Sequence, residues 1–136
     1  MAILFEIGRL YTRQTEIHDK YGGNRQSGIS VSAAHPYIFL FSSPRGKDFG
    51  YADGWAAENE FLYTGEGQLG DMDLARGNLA IHDHRANRKE LHLFERRARG
   101  QYEYLGQFEY SGHSLKEGQD MAGRRRQTIV FRLKKL

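Results

Sequence analysis

Two short stretches decide how this chain folds: Gly50-Tyr51-Ala52-Asp53-Gly54-Trp55 and, five residues later, Phe61-Leu62-Tyr63-Thr64-Gly65-Glu66-Gly67. The residues at 60–64 are largely apolar or β-prone, which predicts a strand there. The closely spaced glycines that follow stand among acidic residues, and they predict a loop directly after the strand. Across the two stretches, two tyrosines flank an aspartate, with a tryptophan nearby.

The side chains of this region fit a pocket for one flat, polar base. Two aromatic faces can sandwich a ring, and each stacking contact is worth ~1–3 kcal/mol. A carboxylate such as that of Asp53 can accept a hydrogen bond from an exocyclic amine, which cytosine has and thymine lacks. The alternative is that Tyr51, Trp55 and Tyr63 are ordinary core aromatics and that Asp53 is a turn residue. Composition and spacing alone favour this alternative.

The rest of the chain has a mostly β pattern. Residues 37–41 are apolar throughout, which predicts a strand buried on both faces. Thr12 as a cap and Gly22 as a left-handed stop predict a short helix over residues 12–21. Further strands are predicted at 2–8, 91–95, 102–110 and 128–133, with a strand start at 31–34, a short helix or strand at 78–82, and a long polar loop over 109–127.

These elements predict an α+β fold that is mostly β, a curved sheet or incomplete β-barrel with one or two short helices. The 136 residues show no repeat and no interior boundary, so a single domain over residues 1–136 is expected. Glu6 and Arg9 interrupt the apolar N-terminal stretch, which therefore does not resemble a secretion signal. No apolar run approaches the ~20 residues of a membrane helix.

Composition narrows the function classes. The chain has no cysteine, which excludes disulfides, thiolate zinc sites and cysteine nucleophiles. Residues 1–68 carry 6 Lys and Arg against 8 Asp and Glu, whereas residues 69–136 carry 14 against 9. Two arginine clusters, at 96–99 and 124–126, lie in the basic half. They suggest a polyanionic partner, although charge alone favours a solvated basic face.

A histidine cluster offers an alternative function. His82-Asp83-His84 could form part of a metal-dependent nuclease site, with His92 or His113 as a third ligand. The spacing matches no established ligand pattern, and a polar strand end is the favoured interpretation. A second alternative is a single-strand nucleic-acid binding module, because such modules also combine tyrosine, phenylalanine and arginine on a β-surface. No metal and no cofactor is predicted.

The combined motifs resemble the SRA (YDG) domain, a family of 5-methylcytosine readers. The resemblance rests on Gly50-Tyr51-x-Asp53, on Phe61-x-Tyr63-Thr64-Gly65-x-Gly67 and on Gly77-Asn78-x-Ala80. Residues 22–29, here named the thumb loop, stand where the family carries the loop that enters the duplex. The chain is most similar to the SRA-like N-terminal reader of bacterial modification-dependent restriction endonucleases, which carry an HNH nuclease further along.

The resemblance implies a role for each matching residue. Tyr51 and Tyr63 would stack on the two faces of a flipped base, Asp53 would bond its Watson–Crick edge, and Thr64 would form the pocket wall. Trp55 has no firm counterpart and is expected to line or back the pocket. The thumb residue is Gln26, which would fill the gap left in the duplex. Its neighbours in the thumb are Arg25, Ser27 and Gly28, and the residues expected at the DNA backbone are Arg45, Lys47, Arg76 and Asn78.

Two departures from the family pattern have consequences. Asp53 follows Tyr51 with one residue fewer between them than in the family, which displaces the carboxylate. The segment between Gly67 and Gly77 is much shorter than the finger of the eukaryotic members. We therefore expect weaker dependence on the flanking bases and on hemimethylation.

The implied function is non-catalytic binding of duplex DNA that contains 5-methylcytosine, with 5-hydroxymethylcytosine as a second modified base to test. The modified base would be flipped into the aromatic pocket. The resemblance also implies a bacterial modification-dependent restriction system, with a nuclease domain in cis or in trans. The chain is expected to be a monomer that acts on the nucleoid in the cytoplasm.

Overall fold

A curved, mostly antiparallel β-sheet organises the residues that the structure, a computed structural model, describes, namely 5–43 and 53–136. The strands follow the order β2-β3-β6-β7-β8-β5-β4, and β1 pairs with β7. All pairings are antiparallel except that of β3 with β6. The described strands are β1 Leu10–Thr12, β2 Ile29–Val31, β3 Tyr37–Ser42, β4 Gly54–Ala57, β5 Glu60–Thr64, β6 Glu90–Ala98, β7 Gln101–Gln119 and β8 Arg125–Lys135.

Short helices cover the sheet. A π-helical turn, Arg13–His18, follows β1 and continues into one α-helical turn, α1, at Asp19–Tyr21. The second helix, α2, spans Arg76–His82 and buries Ile81 against the sheet. The expected helix over 12–21 is thus confirmed in position, with a wider π-helical turn in place of its first part. No helix among the described residues is long and apolar enough to cross a membrane.

Strand β3 supplies both hydrophobic cores. Every residue of β3 is buried, as the uninterrupted apolar run predicts. Because successive side chains point to opposite faces, Ile38 and Leu40 join the core on one side, which also holds Tyr63 of β5. Phe39 and Phe41 pack on the other side, in an aromatic cluster with Phe94 and others. The sheet is therefore covered on both faces at its centre.

The prediction of a long polar loop over residues 109–127 is wrong. Strand β7 continues to Gln119 and pairs with β8 up to Gln119 opposite Arg125. Only residues 120–124 form the turn between them. The outer part of this hairpin is exposed on many of its residues, so the apolar/polar alternation that marks a half-buried strand is missing from its sequence. The expected strands at 102–110 and 128–133 are confirmed as parts of these longer ones.

Smaller differences affect the strand ends. Residues 5–8 form no strand, and residues 2–4 of the expected strand at 2–8 lie outside the described part. The strand expected to start at 31–34 instead spans Ile29–Val31, and Gly54–Ala57 forms an unexpected strand opposite β5. The mostly β fold class and the curved open sheet are confirmed.

Candidate nucleic-acid interface

The thumb loop is held in a defined conformation by its own backbone contacts. The Asn24 side chain accepts hydrogen bonds from the backbone N–H of Gln26, at 2.6 Å, and of Ser27, at 3.3 Å. This arrangement is an Asx turn, which lets asparagine stabilise a tight bend. The Gln26 side chain is left exposed at the bend, next to an exposed Arg25. The loop therefore presents a polar side chain on a fixed backbone.

Arg13 anchors the thumb loop to the body of the protein. Its Nη2 donates to the carbonyl oxygens of Asn24, at 2.8 Å, and of Ser27, at 2.5 Å. Its Nε donates to Nε2 of His18, and its guanidinium lies 3.7 Å from the centre of the Phe41 ring. Burial lowers the pKa of Arg13, and burial also lowers that of His18. One arginine thus ties the loop to the aromatic core.

A cleft of about 790 Å³ opens between the thumb loop and the segment that follows β5. It brings together residues that are up to 52 positions apart in the sequence, from Gln26 to Asn78. Its lining residues are Gln26, Ser27, Gly28, Glu66, Gly67, Gln68, Asp73, Ala75, Arg76 and Asn78. Five of the expected interface residues therefore share one cleft: three from the thumb, together with Arg76 and Asn78.

The wall opposite the thumb is fastened by Asn78. Its Oδ1 accepts from the backbone N–H of Glu66, and its Nδ2 donates to the carbonyl oxygens of Glu66 and Asp73, at 2.8–2.9 Å. Asn78 is 1% exposed. The Glu66 carboxylate in turn accepts from the N–H of Gly77. The side chain of Asn78 thus cross-links the wall, and its contact with a DNA phosphate stays a prediction.

Arg76 stands at the start of α2 with a left-handed backbone, at φ 51°. That conformation is uncommon for a residue with a side chain, and such residues concentrate at functional sites. The side chain is exposed at the rim of the cleft. A cation is therefore held at the mouth of the cleft at some cost in backbone strain.

Asp53 connects the ends of β3 and β5. Its Oδ1 accepts from the backbone N–H of Thr64, at 2.8 Å, and its Oδ2 accepts from the hydroxyl of Ser42, at 3.2 Å. Burial raises the pKa of Asp53, while the hydrogen bonds from Thr64 and Ser42 oppose that rise. Each carboxylate oxygen retains a second lone pair for a further donor.

Tyr63 joins the thumb loop to β3. The residue is 3% exposed, and its hydroxyl lies 3.0 Å from the carbonyl oxygen of Gly28 and 3.2 Å from that of Phe41, sharing its proton between them. Burial raises the pKa of Tyr63, so the phenol stays protonated. The ring belongs to the hydrophobic core. Its hydroxyl ties the thumb loop to that core through Gly28, which lines the cleft.

The family of this chain follows from a comparison with known domains. A family model described as the ScoMcrA-like SRA domain matches residues 7–136. This chain belongs to that SRA family. No curated protein matches the chain.

Solved structures share the SRA fold. The phosphorothioation-dependent restriction endonuclease ScoMcrA matches with a TM-score of 0.78 at 24% identity, over 98% of this chain and 28% of that one. The sulfur-binding and SRA domains of ScoMcrA, complexed with phosphorothioated DNA, match with 0.77 at 21% identity, over 98% and 40%. The SRA domain of SUVH5 with fully methylated CG DNA matches with 0.67 at 20% identity, over 96% and 88%. This chain thus spans less than half of either ScoMcrA chain.

Of the other predicted site residues of this SRA domain, the structure describes Thr64 and Trp55. Thr64 is buried at the end of β5, beside Asp53. Trp55 lies on β4, 47% exposed, and packs its ring against Phe61 and Phe108. Its expected role at the pocket stays a prediction. Three further predicted residues lie outside the described part of the chain: Tyr51, Arg45 and Lys47.

Sequence reasoning gave no role to Arg13 or Glu66, which build the two sides of the cleft. Arg13 stands in an ordinary polar stretch, and its partners are 11 and 14 residues away, so no local pattern indicates them. Glu66 is one of several acids among glycines. Asn78 is indicated by the motif Gly77-Asn78-x-Ala80 of the resemblance, which says nothing of the cross-links that its side chain makes.

The histidine cluster does not gather as a metal site. His82 ends α2 and its Nδ1 contacts Asp83 at 2.7 Å. His84 is buried, with Nδ1 donating to the carbonyl oxygen of Lys89 and Nε2 accepting from the N–H of Tyr110. Both ring nitrogens of His84 are therefore engaged. Within residues 5–43 and 53–136, no three histidine or acidic side chains are placed to hold a metal ion.

Proposed function

We propose that this SRA domain binds duplex DNA containing a modified cytosine and flips that base into a pocket beside Asp53 and Tyr63. The observation that carries the proposal is the shared cleft between the thumb loop and the wall of residues 66–78. A space of about 790 Å³ is ample for one nucleotide. Family membership supports it, as do related SRA structures solved with methylated or phosphorothioated DNA.

Gln26 would enter the duplex as the base leaves it. Its amide can donate and accept, so it can occupy the vacated position and bond the orphaned partner base. The Asx turn and Arg13 fix the loop backbone before DNA arrives. A preorganised loop lowers the ordering cost of binding. Arg25 beside it, and Arg76 at the opposite rim, would take phosphates.

The base edge would be read by Asp53. Its carboxylate is already oriented by the N–H of Thr64 and the hydroxyl of Ser42, so it can accept from the cytosine N4 amine without reorganisation. Tyr63 would supply one stacking face. Because its ring is 3% exposed, the base must displace neighbouring groups to reach it. The bond from its hydroxyl to Gly28 would couple that displacement to the thumb loop.

Selection of the modification needs more than contact with the methyl group. Burying one methyl is worth ~0.8 kcal/mol, which is about a fourfold preference. A concave wall that leaves a hole when the methyl is absent adds the cost of a cavity. Flipping itself costs a few kcal/mol, which stacking and edge hydrogen bonds must offset. We propose 5-methylcytosine as the ligand and 5-hydroxymethylcytosine as its first competitor.

The chain would serve as the reader in a modification-dependent restriction system. It spans 28% of the ScoMcrA endonuclease chain, so cleavage would belong to a nuclease domain in cis or in trans. The reader itself would be a non-catalytic monomer that acts on bacterial nucleoid DNA. The domain is proposed to occupy residues 1–136.

The test is a titration of labelled duplexes that differ in one cytosine. We expect tighter binding when that cytosine is methylated, and increased fluorescence from a 2-aminopurine placed beside it as the base leaves the stack. Gln26→Ala should lower both signals, whereas Gln107→Ala, on β7 and outside the cleft, should leave them unchanged. Equal affinity for modified and unmodified duplexes at moderate salt, with both modified bases tried, would refute the proposal. So would equal affinity for single strands.

A further inference from the structure

The hairpin of β7 and β8 continues well past its neighbours. Strand β5 ends with Thr64 opposite Val130, and beyond this level β7 and β8 pair only with each other. We name residues 114–128 the arm. From Ser114 to Gln119 the arm extends by about 17 Å. An isolated two-stranded hairpin is marginally stable, so an arm of this length needs support from elsewhere.

That support comes from the segment after β5, residues 65–72, which we name the wall loop. The backbone N–H of Met72 donates to the carbonyl oxygen of Gln127, and the N–H of Gln127 donates to Asp71. At the tip, the N–H of Met121 donates to the carbonyl oxygen of Gln68, at 2.8 Å. The wall loop thus runs along the arm almost like an additional strand.

Arg126 fixes the arm to the wall loop from inside. It is 4% exposed, and its Nη1 donates to the carbonyl oxygens of Gly67, at 2.7 Å, and Gly70, at 3.2 Å. Asp120 accepts from the N–H of Gly70 across the tip, and from two N–H groups within it. Gly67 also lines the cleft. Arg126 of the arm therefore binds a residue that forms part of the cleft wall.

The tip of the arm combines exposed apolar side chains with exposed arginines. Met121 at the tip is 72% exposed, Leu69 of the adjoining wall loop is 69% exposed, and Arg124 and Arg125, which line a groove with Leu69, are also exposed. A groove of about 310 Å³ lies between the loop and the tip, lined by Leu69, Gly70, Asp120, Ala122, Arg124 and Arg125. Within the cluster 124–126, Arg126 is buried in its contacts with the wall loop. Arg124 and Arg125 are exposed, and Arg125 pairs with Glu117 on the same arm.

We propose that the arm is a second DNA-contacting element, which binds the sugar–phosphate backbone beside the flipped base. The inference rests on the proposed function. Arginine over an apolar surface suits a phosphodiester and its sugar, because guanidinium binds phosphate oxygens while the deoxyribose packs on carbon. Continuity with the cleft wall through Gly67 and Gln68 means that a duplex engaged by the thumb meets the arm.

The partner is duplex DNA rather than a protein because residues 114–128 carry four Lys and Arg against two Asp and Glu, and because the site is continuous with the cleft. An ion pair between Arg125 and Glu117 orients one guanidinium on the arm. Arg124 stands at the turn, where its N–H is held by Asp120. With an axial rise of about 3.4 Å per base pair, an arm of about 17 Å would extend the contact by roughly five base pairs.

The experiment compares Arg124→Ala/Arg125→Ala with Lys134→Ala, an exposed lysine near the opposite end of β8. Affinity for a methylated and an unmethylated duplex is measured across a series of salt concentrations. For the double variant we expect about tenfold weaker binding to both duplexes, and a log–log salt slope shallower by about 0.9 for each phosphate that the variant no longer neutralises. The lysine variant should retain the wild-type slope. Circular dichroism confirms that each variant folds.

Duplex length gives an independent readout. Adding about five base pairs on one side of the modified cytosine should strengthen binding by the wild type and not by the double variant. An unchanged salt slope and an unchanged length dependence in the double variant would overturn the arm proposal, and would leave the tip as a surface for another protein. The proposed function fails separately, if the wild type does not distinguish the methylated duplex from the unmethylated one.

Discussion

At the scale of single residues, Asp53 combines a structural and a recognition task. Its two oxygens join the ends of β3 and β5 through Ser42 and Thr64. The same oxygens are the acceptors proposed for the cytosine amine. Burial raises the pKa of Asp53, so the carboxylate that DNA needs is held at a cost to the folded state. Removing the charge of Asp53 should therefore weaken DNA binding without lowering the stability of the fold.

Asp53→Asn is expected to leave the free energy of unfolding unchanged or to increase it near pH 7. The amide oxygen still accepts from Thr64, while the cost of a buried charge disappears. Binding to the methylated duplex should weaken by about 10-fold to 100-fold, because a charge-assisted hydrogen bond is worth ~1.5–3 kcal/mol. Urea denaturation and duplex titration on the same preparation measure the two effects. Loss of stability with full binding would reverse the assignment.

The role proposed for the Asp53 carboxylate also predicts how the affinity for DNA depends on pH. As the pH falls through the raised pKa of Asp53, the carboxylate gains a proton and loses its acceptor character toward the amine. The ratio of affinities of wild type and Asp53→Asn should therefore shrink toward one at low pH. A ratio that stays constant from neutral pH down to the limit of folding would count against Asp53 as the edge reader.

At the scale of elements, the thumb loop depends on Arg13. Its guanidinium fork reaches two carbonyl oxygens of the loop and a ring nitrogen of His18 at once. A lysine ammonium is a point charge and cannot reproduce that planar geometry. The conformation of the thumb loop should therefore depend on the planar guanidinium of Arg13, and a positive charge alone should not replace it.

Arg13→Lys is expected to loosen the thumb loop and to reduce the free energy of unfolding by about 1–3 kcal/mol, since the partly buried acceptors on Ser27 and His18 lose their donor. Amide hydrogen exchange should accelerate at residues 24–28 and affinity for the methylated duplex should fall. Arg9→Lys is the matched control, because Arg9 forms an exposed ion pair with Glu16, a kind of contact that contributes little. Unchanged exchange in the thumb loop would show that the loop is held by other contacts.

Elements also show what the sequence could predict. Strand β3 followed from an apolar run, because all six of its residues are buried. Strand β5 followed from its β-prone residues, three of which are buried. The arm did not, since most of its outer residues face solvent and its support is a loop some 55 residues away. The motif around Tyr63 indicated the site, whereas the anchors Arg13 and Asn78 act over distances that no local pattern encodes.

At the scale of the whole molecule, three buried histidines couple stability to pH. They are held in different parts of the fold: His18 beside the thumb loop, His84 after α2, and His92 within β6. Burial is the largest influence in each case and lowers the pKa of all three, although Glu90 opposes it at His92. The folded state therefore favours the neutral form of each ring. Protonation of these histidines stabilises the unfolded chain relative to the folded one.

The direction of the effect follows from proton linkage. In the unfolded chain a histidine has a pKa of about 6.5, so below that pH the unfolded state binds more protons than the folded state and stability falls. Above it, the histidine contribution is fully present. The free energy of unfolding should therefore fall as the pH drops from about 6.5 toward 5, by at most ~1.4 kcal/mol per histidine per pH unit, and the melting temperature should fall with it. His84→Gln should make the decline of stability with pH less steep. Asp53→Asn should leave unchanged the part of the decline that the histidines cause. A melting temperature that is constant from pH 8 to pH 5 would contradict the neutral, buried state of these rings.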